Sequence, residues 1–173
     1  VQDAGHSAPQ HWAAGAVIPQ GKADHPVVYV SWVDAQAYCR WLSRQTGQWI
    51  TLPTEAQWEK AARGPDGFVY PWGNTFDARR CNSSESNIGD TTAVGTYPQG
   101  ASPYGVLDMS GNVLEWTLSP WGEESGRTDY GYAYRADDGR EDIGVPDSVF
   151  RVLRGASFLQ GAERCRCSAR FRL

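Results

Sequence analysis

The sequence predicts an α+β fold with two helices, short strands and much irregular loop, and three observations carry that prediction. Two capping boxes each open an apolar-periodic run that ends at a glycine. The β-branched and aromatic runs are few and short, as expected of a small sheet. The 173 residues include 8 Trp, 8 Tyr, 19 Gly and 10 Pro, a composition in which rings fill volume while Gly and Pro shape loops.

Val1 to Asp24 has no hydrophobic period and reads as an irregular lead-in. Val27-Val28-Tyr29-Val30 predicts a strand or extended arm. Ser31 with Asp34 makes the first capping box, and Ala35, Tyr38, Cys39 and Leu42 share one helical face until Gly47 offers a left-handed stop. Thr54 with Gln57 makes the second box, opening a helix over Glu55 to Arg63 that Gly64 closes; Pro53 fixes the approach. Pro65 to Pro103 is rich in Gly, Asn, Ser, Thr and Pro, and only Thr92 to Tyr97 resembles a strand. Trp72, Phe76 and Tyr97 recur through it, and disordered segments are poor in rings, so an ordered loop is expected. Strands return at Val113 to Thr117 and Val149 to Leu153, separated by a Gly-, Asp- and Tyr-rich surface insertion over 119–148.

The length suits one domain, residues 1–173, and 40% hydrophobic against 21% charged residues supports a packed core. A formal charge of −4 with no basic run argues against a nucleic-acid partner. No apolar stretch approaches the ~20 residues of a membrane span, so no membrane partner is expected. The N-terminus lacks the charged and apolar blocks of a signal peptide, and Cys39, Cys81, Cys165 and Cys167 form no disulfide framework. Reduced thiols and a cytoplasmic location are the expectation from these features. His6, His11 and His25 lack helical ligand spacing, and neither a Gly-x-Ser-x-Gly elbow nor a phosphate-binding glycine loop is present. Asn82-Ser83-Ser84 fits the glycosylation pattern and is read as loop polarity.

Several ordered blocks are more specific: His25-Pro26-Val27-Val28-Tyr29-Val30-Ser31-Trp32, Leu52-Pro53-Thr54-Glu55-Ala56-Gln57-Trp58-Glu59, Tyr70-Pro71-Trp72-Gly73, the run from Tyr104 to Trp116, and Arg154-Gly155-Ala156-Ser157. Together, over roughly His25 to Arg172, they resemble the formylglycine-generating-enzyme, or sulfatase-modifying factor, domain family. That resemblance implies a C-type-lectin-like fold. The family's N-terminal strand region and its closing Gly-Phe-Arg strand find no match, which implies that the natural chain continues beyond these residues.

Fold does not fix function, and the family contains oxidases, sulfoxide synthases and noncatalytic binding domains. The oxidases hold copper(I) between two thiolates, one at the position matching Cys167 and one five residues earlier, which here is Ala162. Cys165 could substitute only with distortion, since residues two apart on a strand lie ~6.5–7 Å apart on one face. No catalytic residue is therefore assigned and no copper is expected; a copper-dependent oxidase acting on a sulfatase cysteine remains the alternative.

The resemblance also implies calcium. One site would use Asp108, the Gly111 and Val113 carbonyls and Glu115; a second would begin at Asn87 and the Ile88 carbonyl, with Asp90 as a further candidate. The surviving functional reading is a ligand- or protein-binding domain. Arg151 to Ser157, Arg166-Cys167, Ala169 and Arg170 are similar to the constant scaffold of the variable proteins of diversity-generating retroelements. By that mapping the candidate contacts are Phe158, Leu159, Gln160, Gly161, Phe171 and Leu173, and ring-rich contacts suit a protein ligand.

Overall fold

The computed structural model describes residues 8–9, 12, 17–124, 126–135, 137–142, 144–146 and 148–173. His6 and His11 lie outside them. The chain divides into two units, Val1–Leu52 and Pro53–Leu173.

The first unit is built on α1, Trp32–Thr46. The Ser31 hydroxyl accepts the Asp34 N–H at 3.2 Å, and the Asp34 carboxylate accepts the Ser31 N–H at 2.8 Å, the reciprocal cap that the sequence predicts. Gly47 ends the helix at φ 70° and returns its N–H to the Ser43 carbonyl. Ala35, Cys39 and Leu42 are partly buried, whereas Tyr38 remains 58% exposed. The strand expected at Val27–Val30 does not form. Tyr29 takes φ 55°, which breaks an extended run.

The second unit contains α2, Glu55–Arg63, and a three-stranded antiparallel sheet in the order β1 (Glu115–Gly122), β2 (Phe150–Arg154), β3 (Phe171–Arg172). Thr54 and Gln57 cap α2 reciprocally at 3.2 and 2.9 Å. β1 starts two residues later than expected and runs on into the predicted insertion. The register shifts on both sides of Pro120, which opposes Arg151; such irregularities are where a strand tolerates a proline without an N–H. The Thr117 hydroxyl adds a bond to the Val152 carbonyl at 2.9 Å.

Thr92–Tyr97 is a turn rather than a strand. Gly95 has φ 74°, and its N–H is taken by Asp108 Oδ2 at 2.7 Å instead of a strand partner. The long loop from 65 to 103 is ordered through 3₁₀ turns at Ala78–Arg80, Ser84–Ser86 and Pro98–Gly100. Among the described residues, two small apolar clusters form the core. One joins Trp58, Ala62, Met109 and Cys167; the other joins Tyr70, Ala156 and Cys165, flanked by Val69, Trp72, Phe76 and Phe171.

A buried charge network spans the second unit. Arg154, fully buried on β2, donates to Glu55 at 3.0 Å, to Glu59 at 2.5 Å and to the Cys167 carbonyl at 2.5 Å, and lies over the Trp58 ring. Arg170 grips the same Glu55 carboxylate with Nε at 2.6 Å and Nη2 at 2.8 Å. Planar guanidinium groups suit this shared arrangement because each presents several donors in fixed directions.

Candidate functional site

Three places hold the residues that could carry function. The first is the turn between Asp108 and Glu115. Asp108, Gly111 and Asn112 all have positive φ, at 58°, 80° and 67°. Gly111 is required there: a Cβ would sit 2.2 Å from the Asn82 carbonyl oxygen, whose bond from the Asn112 N–H at 2.7 Å holds the turn. The Asn112 carboxamide accepts the Thr92 N–H and donates to the Thr92 carbonyl, fixing the facing loop.

At the end of this turn Glu115 accepts the Trp58 indole N–H at 2.6 Å. Burial pushes its carboxyl up to about 7; the indole bond opposes that shift, and the negative charge of Asp108 adds to it. The Val113 carbonyl oxygen and the Glu115 carboxyl carbon lie 3.5 and 3.9 Å from where a Gly155 Cβ would be. The Trp58 ring lies nearer still, at 3.4 Å, so the ring, the carbonyl and the carboxyl all border Gly155. The Trp58 indole satisfies one oxygen of Glu115, and the Asp108 charge reaches the same carboxyl, so the turn gathers oxygen donors of the kind a hard divalent cation takes. Asp108 gives one oxygen to Gly95 and retains the other, while the Gly111 carbonyl also accepts the Val113 N–H.

The second proposed set is arranged differently. Asn87, Ile88 and Asp90 are exposed; the Asn87 amide donates to the Glu85 carbonyl, and Asp90 Oδ1 accepts the Thr91 N–H. Among the described residues no group of three or more His, Cys, Asp or Glu side chains converges on a metal position. That holds for the turn from Asp108 to Glu115 as well as for Asn87, Ile88 and Asp90.

The second place is the C-terminal loop. Leu159 and Leu173 are each 71% exposed, and Phe158, Gln160, Gly161 and Phe171 are partly buried. Gln160 holds the loop in shape, its side chain accepting from the Ser157 N–H at 2.7 Å and its carbonyl from the Ser84 N–H at 3.0 Å. The Phe158 N–H donates to the Asn112 carbonyl at 3.1 Å, so the loop rests on the same turn. A Cβ on Gly161 would meet Glu85 Oε1 at 3.0 Å. Phe171 packs on the Tyr70 cluster under the Arg164 guanidinium, and Leu173 pairs through its backbone with Arg151.

The C-terminal cysteines do not share a face. Residues 163–168 turn rather than extend, so Cys165 packs with Tyr70 and Ala156 while Cys167 packs with Trp58, Ala62 and Met109. Burial pushes the Cys167 thiol up to about 12. Ala162 contributes only a methyl group and backbone, its N–H bound to Glu85 and its carbonyl to the Tyr70 hydroxyl. These residues do not fit a copper(I) ion. The Asn82 amide is 1% exposed and donates to the Asp90 carbonyl, which leaves it no room for a glycan.

The third place is a cleft of about 310 Å³ beside α2, lined by Glu59, Lys60, Arg63, Tyr132, Tyr134 and Arg140 among others. Tyr132 donates to Glu59 at 2.5 Å, and Lys60 lies over the Tyr104 ring. Sequence reading alone misses this cleft, because Tyr132, Tyr134 and Arg140 come from the insertion, where no periodicity marks direction. Among the described residues no helix is long and apolar enough to cross a membrane.

The chain is similar to the serine/threonine-protein kinase pkn1 of Chlamydia caviae, 38% identical over 90% of this chain and 23% of that protein. It is similar to the inactive C-alpha-formylglycine-generating enzyme 2 of Bos taurus, 40% identical over 82% of this chain and 41% of that protein. It also resembles the formylglycine-generating enzyme of Thermomonospora curvata, 37% identical over 83% of this chain and 48% of that protein. The chain thus spans less than half the length of these relatives. In three dimensions it is similar to Treponema denticola variable protein 1, with a TM-score of 0.69, 21% identity, and coverage of 96% of this chain and 72% of that one. Residues 1–172 match the sulfatase-modifying factor enzyme 1-like domain, and the chain belongs to that family.

Proposed function

We propose that this domain is a noncatalytic binding module that recognises a protein ligand through its C-terminal loop. The observation that carries this reading is the separation of Cys165 and Cys167 into two clusters, with Ala162 at the position of the second copper ligand. Copper(I) between two thiolates needs both sulfurs directed at one point. An inactive relative within the family supports the same reading.

Recognition by side chains demands a backbone that other residues hold. Here the Ser157–Gln160 contacts, the Asn112 carbonyl and Glu85 fix the loop, leaving Leu159 projecting. A residue at that position can change without disturbing the scaffold, which is the requirement for a diversity-generating retroelement variable protein. Calcium, where bound, would be held by Asp108, Glu115 and the Val113 and Gly111 carbonyls. It would supply positive charge that keeps the Glu115 carboxylate ionised and the turn under Phe158 rigid.

Two tests decide. Incubated with copper(I), oxygen and a cysteine peptide of the sulfatase type, the domain is expected to form no aldehyde; sustained turnover overturns the binding reading in favour of the oxidase. For the narrower assignment, the neighbouring DNA is expected to encode a reverse transcriptase and a near-copy of the 3′ coding region differing mostly at adenines. Absence of both leaves a binding module without programmed variation.

A further inference from the structure

The cleft beside α2 is bordered by part of the insertion, and that border is tied down at three successive residues. Arg170 Nη1 donates to the Tyr130 carbonyl at 2.8 Å, Arg140 Nη2 to the Gly131 carbonyl at 2.8 Å, and the Tyr132 hydroxyl to Glu59 at 2.5 Å. Tyr134 is held by the Arg140 guanidinium, 4.9 Å over its ring, and by the bond from its hydroxyl to Glu141 at 2.5 Å. Walls fixed before a ligand arrives spare much of the ordering cost of binding.

The charges along the cleft are unevenly satisfied. Its lining carries four cations, Lys60, Arg63, Arg140 and Arg170, against the two carboxylates Glu55 and Glu59, in a chain whose formal charge is −4. Each of the four carboxylate oxygens already accepts from a cation: those of Glu55 from Arg154 and Arg170, those of Glu59 from Arg63 and Arg154. Arg63 spends Nε and Nη2 on the Phe68 and Gly67 carbonyls, and Arg140 pairs with Asp138. Lys60 differs. Its ammonium lies 5.9 Å over the Tyr104 ring and pairs with no carboxylate among the described residues.

We propose that this cleft is a binding site for a small aromatic carboxylate, its ring against Tyr132 and Tyr134 and its carboxylate paired with Lys60. A volume of about 310 Å³ falls at the lower end of the ~300–1,000 Å³ of small-molecule sites, which suits one ring and a short acid. Tyr132 and Tyr134 keep 63% and 43% of their surface exposed, area that a stacked ring would cover. A lysine ammonium receives a carboxylate without demanding one fixed approach. These residues are not those of the Leu159 loop, so failure of either site leaves the other standing.

The test titrates phenylacetate, phenylacetamide and phenethylammonium into the purified domain by calorimetry at neutral pH and low ionic strength. The acid is expected to bind about tenfold more tightly than the amide, the difference one charge-assisted contact makes, and the ammonium more weakly than both. Lys60→Gln lowers the affinity for the acid to that for the amide and leaves the amide unchanged, whereas Tyr134→Ala weakens both. Lys60 and Tyr134 are exposed, and thermal melts check that the variants fold; if Tyr134→Ala does not, Lys60→Gln and the three ligands decide. No binding of the acid, an ammonium that binds as tightly as the acid, or an affinity for the acid unmoved by Lys60→Gln overturns the proposal.

Discussion

The Trp58 indole N–H donates to Glu115 Oε2 at 2.6 Å, tying the core face of α2 to the first residue of β1. That bond is made to a carboxyl that burial and the Asp108 charge push up to about 7, from an ordinary 4.5. The stability of the second unit is expected to depend on pH through this contact.

Because the folded state binds the Glu115 proton more tightly than the unfolded chain, its contribution to stability is full below pH 4.5. It is lost as pH rises through 7, by on the order of 3 kcal/mol in the absence of a cation. Urea unfolding at pH 5 and pH 8 in a chelator measures it, with Glu115→Gln as reference. The fall is expected to be absent in that variant. Trp58→Phe removes the donor that favours the ionised form, so its extra loss is larger at pH 8 than at pH 5. Equal losses at both values would contradict the assignment.

Calcium is expected to reverse that slope. At pH 8 added calcium raises the melting temperature and a chelator lowers it, while Asp108→Ala removes the response. Gly155→Ala is expected to weaken it too, since its φ is 93° and the new methyl would meet Trp58 at 3.4 Å and the Val113 carbonyl at 3.5 Å. A melting temperature indifferent to both additions would argue against a cation at this turn.

Arg154→Met leaves Glu55 and Glu59 without their shared buried cation, although Arg170 and Arg63 still reach them. Removing one partner from a buried ionic network costs about 3–5 kcal/mol. Arg63→Met, at a side chain 35% exposed, is expected to cost less than about 1 kcal/mol. Chemical denaturation distinguishes the two, and similar losses would mean that burial of Arg154 confers no special role.

Leu159→Ser is expected to change stability by no more than about 0.5 kcal/mol, because the side chain projects from a loop that Gln160 and Glu85 hold. Phe171→Ala, which empties part of the Tyr70 cluster, costs about 2 kcal/mol or more. Thermal melts of both variants separate a display position from a packing one among the six candidate contacts.

Local chemistry was legible and pairing was not. Both helices follow from capping boxes and closing glycines, because a cap involves atoms only a few residues apart. β2 lies within one residue of its expected place. Val27–Val30 and Thr92–Tyr97 have strand composition, yet Tyr29 and Gly95 adopt positive φ, and a strand exists only where a partner accepts its ladder. Pro120 hid the far half of β1, because a proline discounts a strand until a bulge is known to receive it.

The sequence by itself determined the family, the two helices, the turn from Asp108 to Glu115 and the missing thiol at Ala162, since each rests on residue identity or short spacing. Tertiary structure alone decided that Cys165 and Cys167 pack in separate clusters, that Arg154 is buried between Glu55 and Glu59, and that burial raises the Glu115 carboxyl. Those outcomes depend on which distant segments exclude water from a side chain, and the order of residues along a chain carries no record of that until the chain has folded.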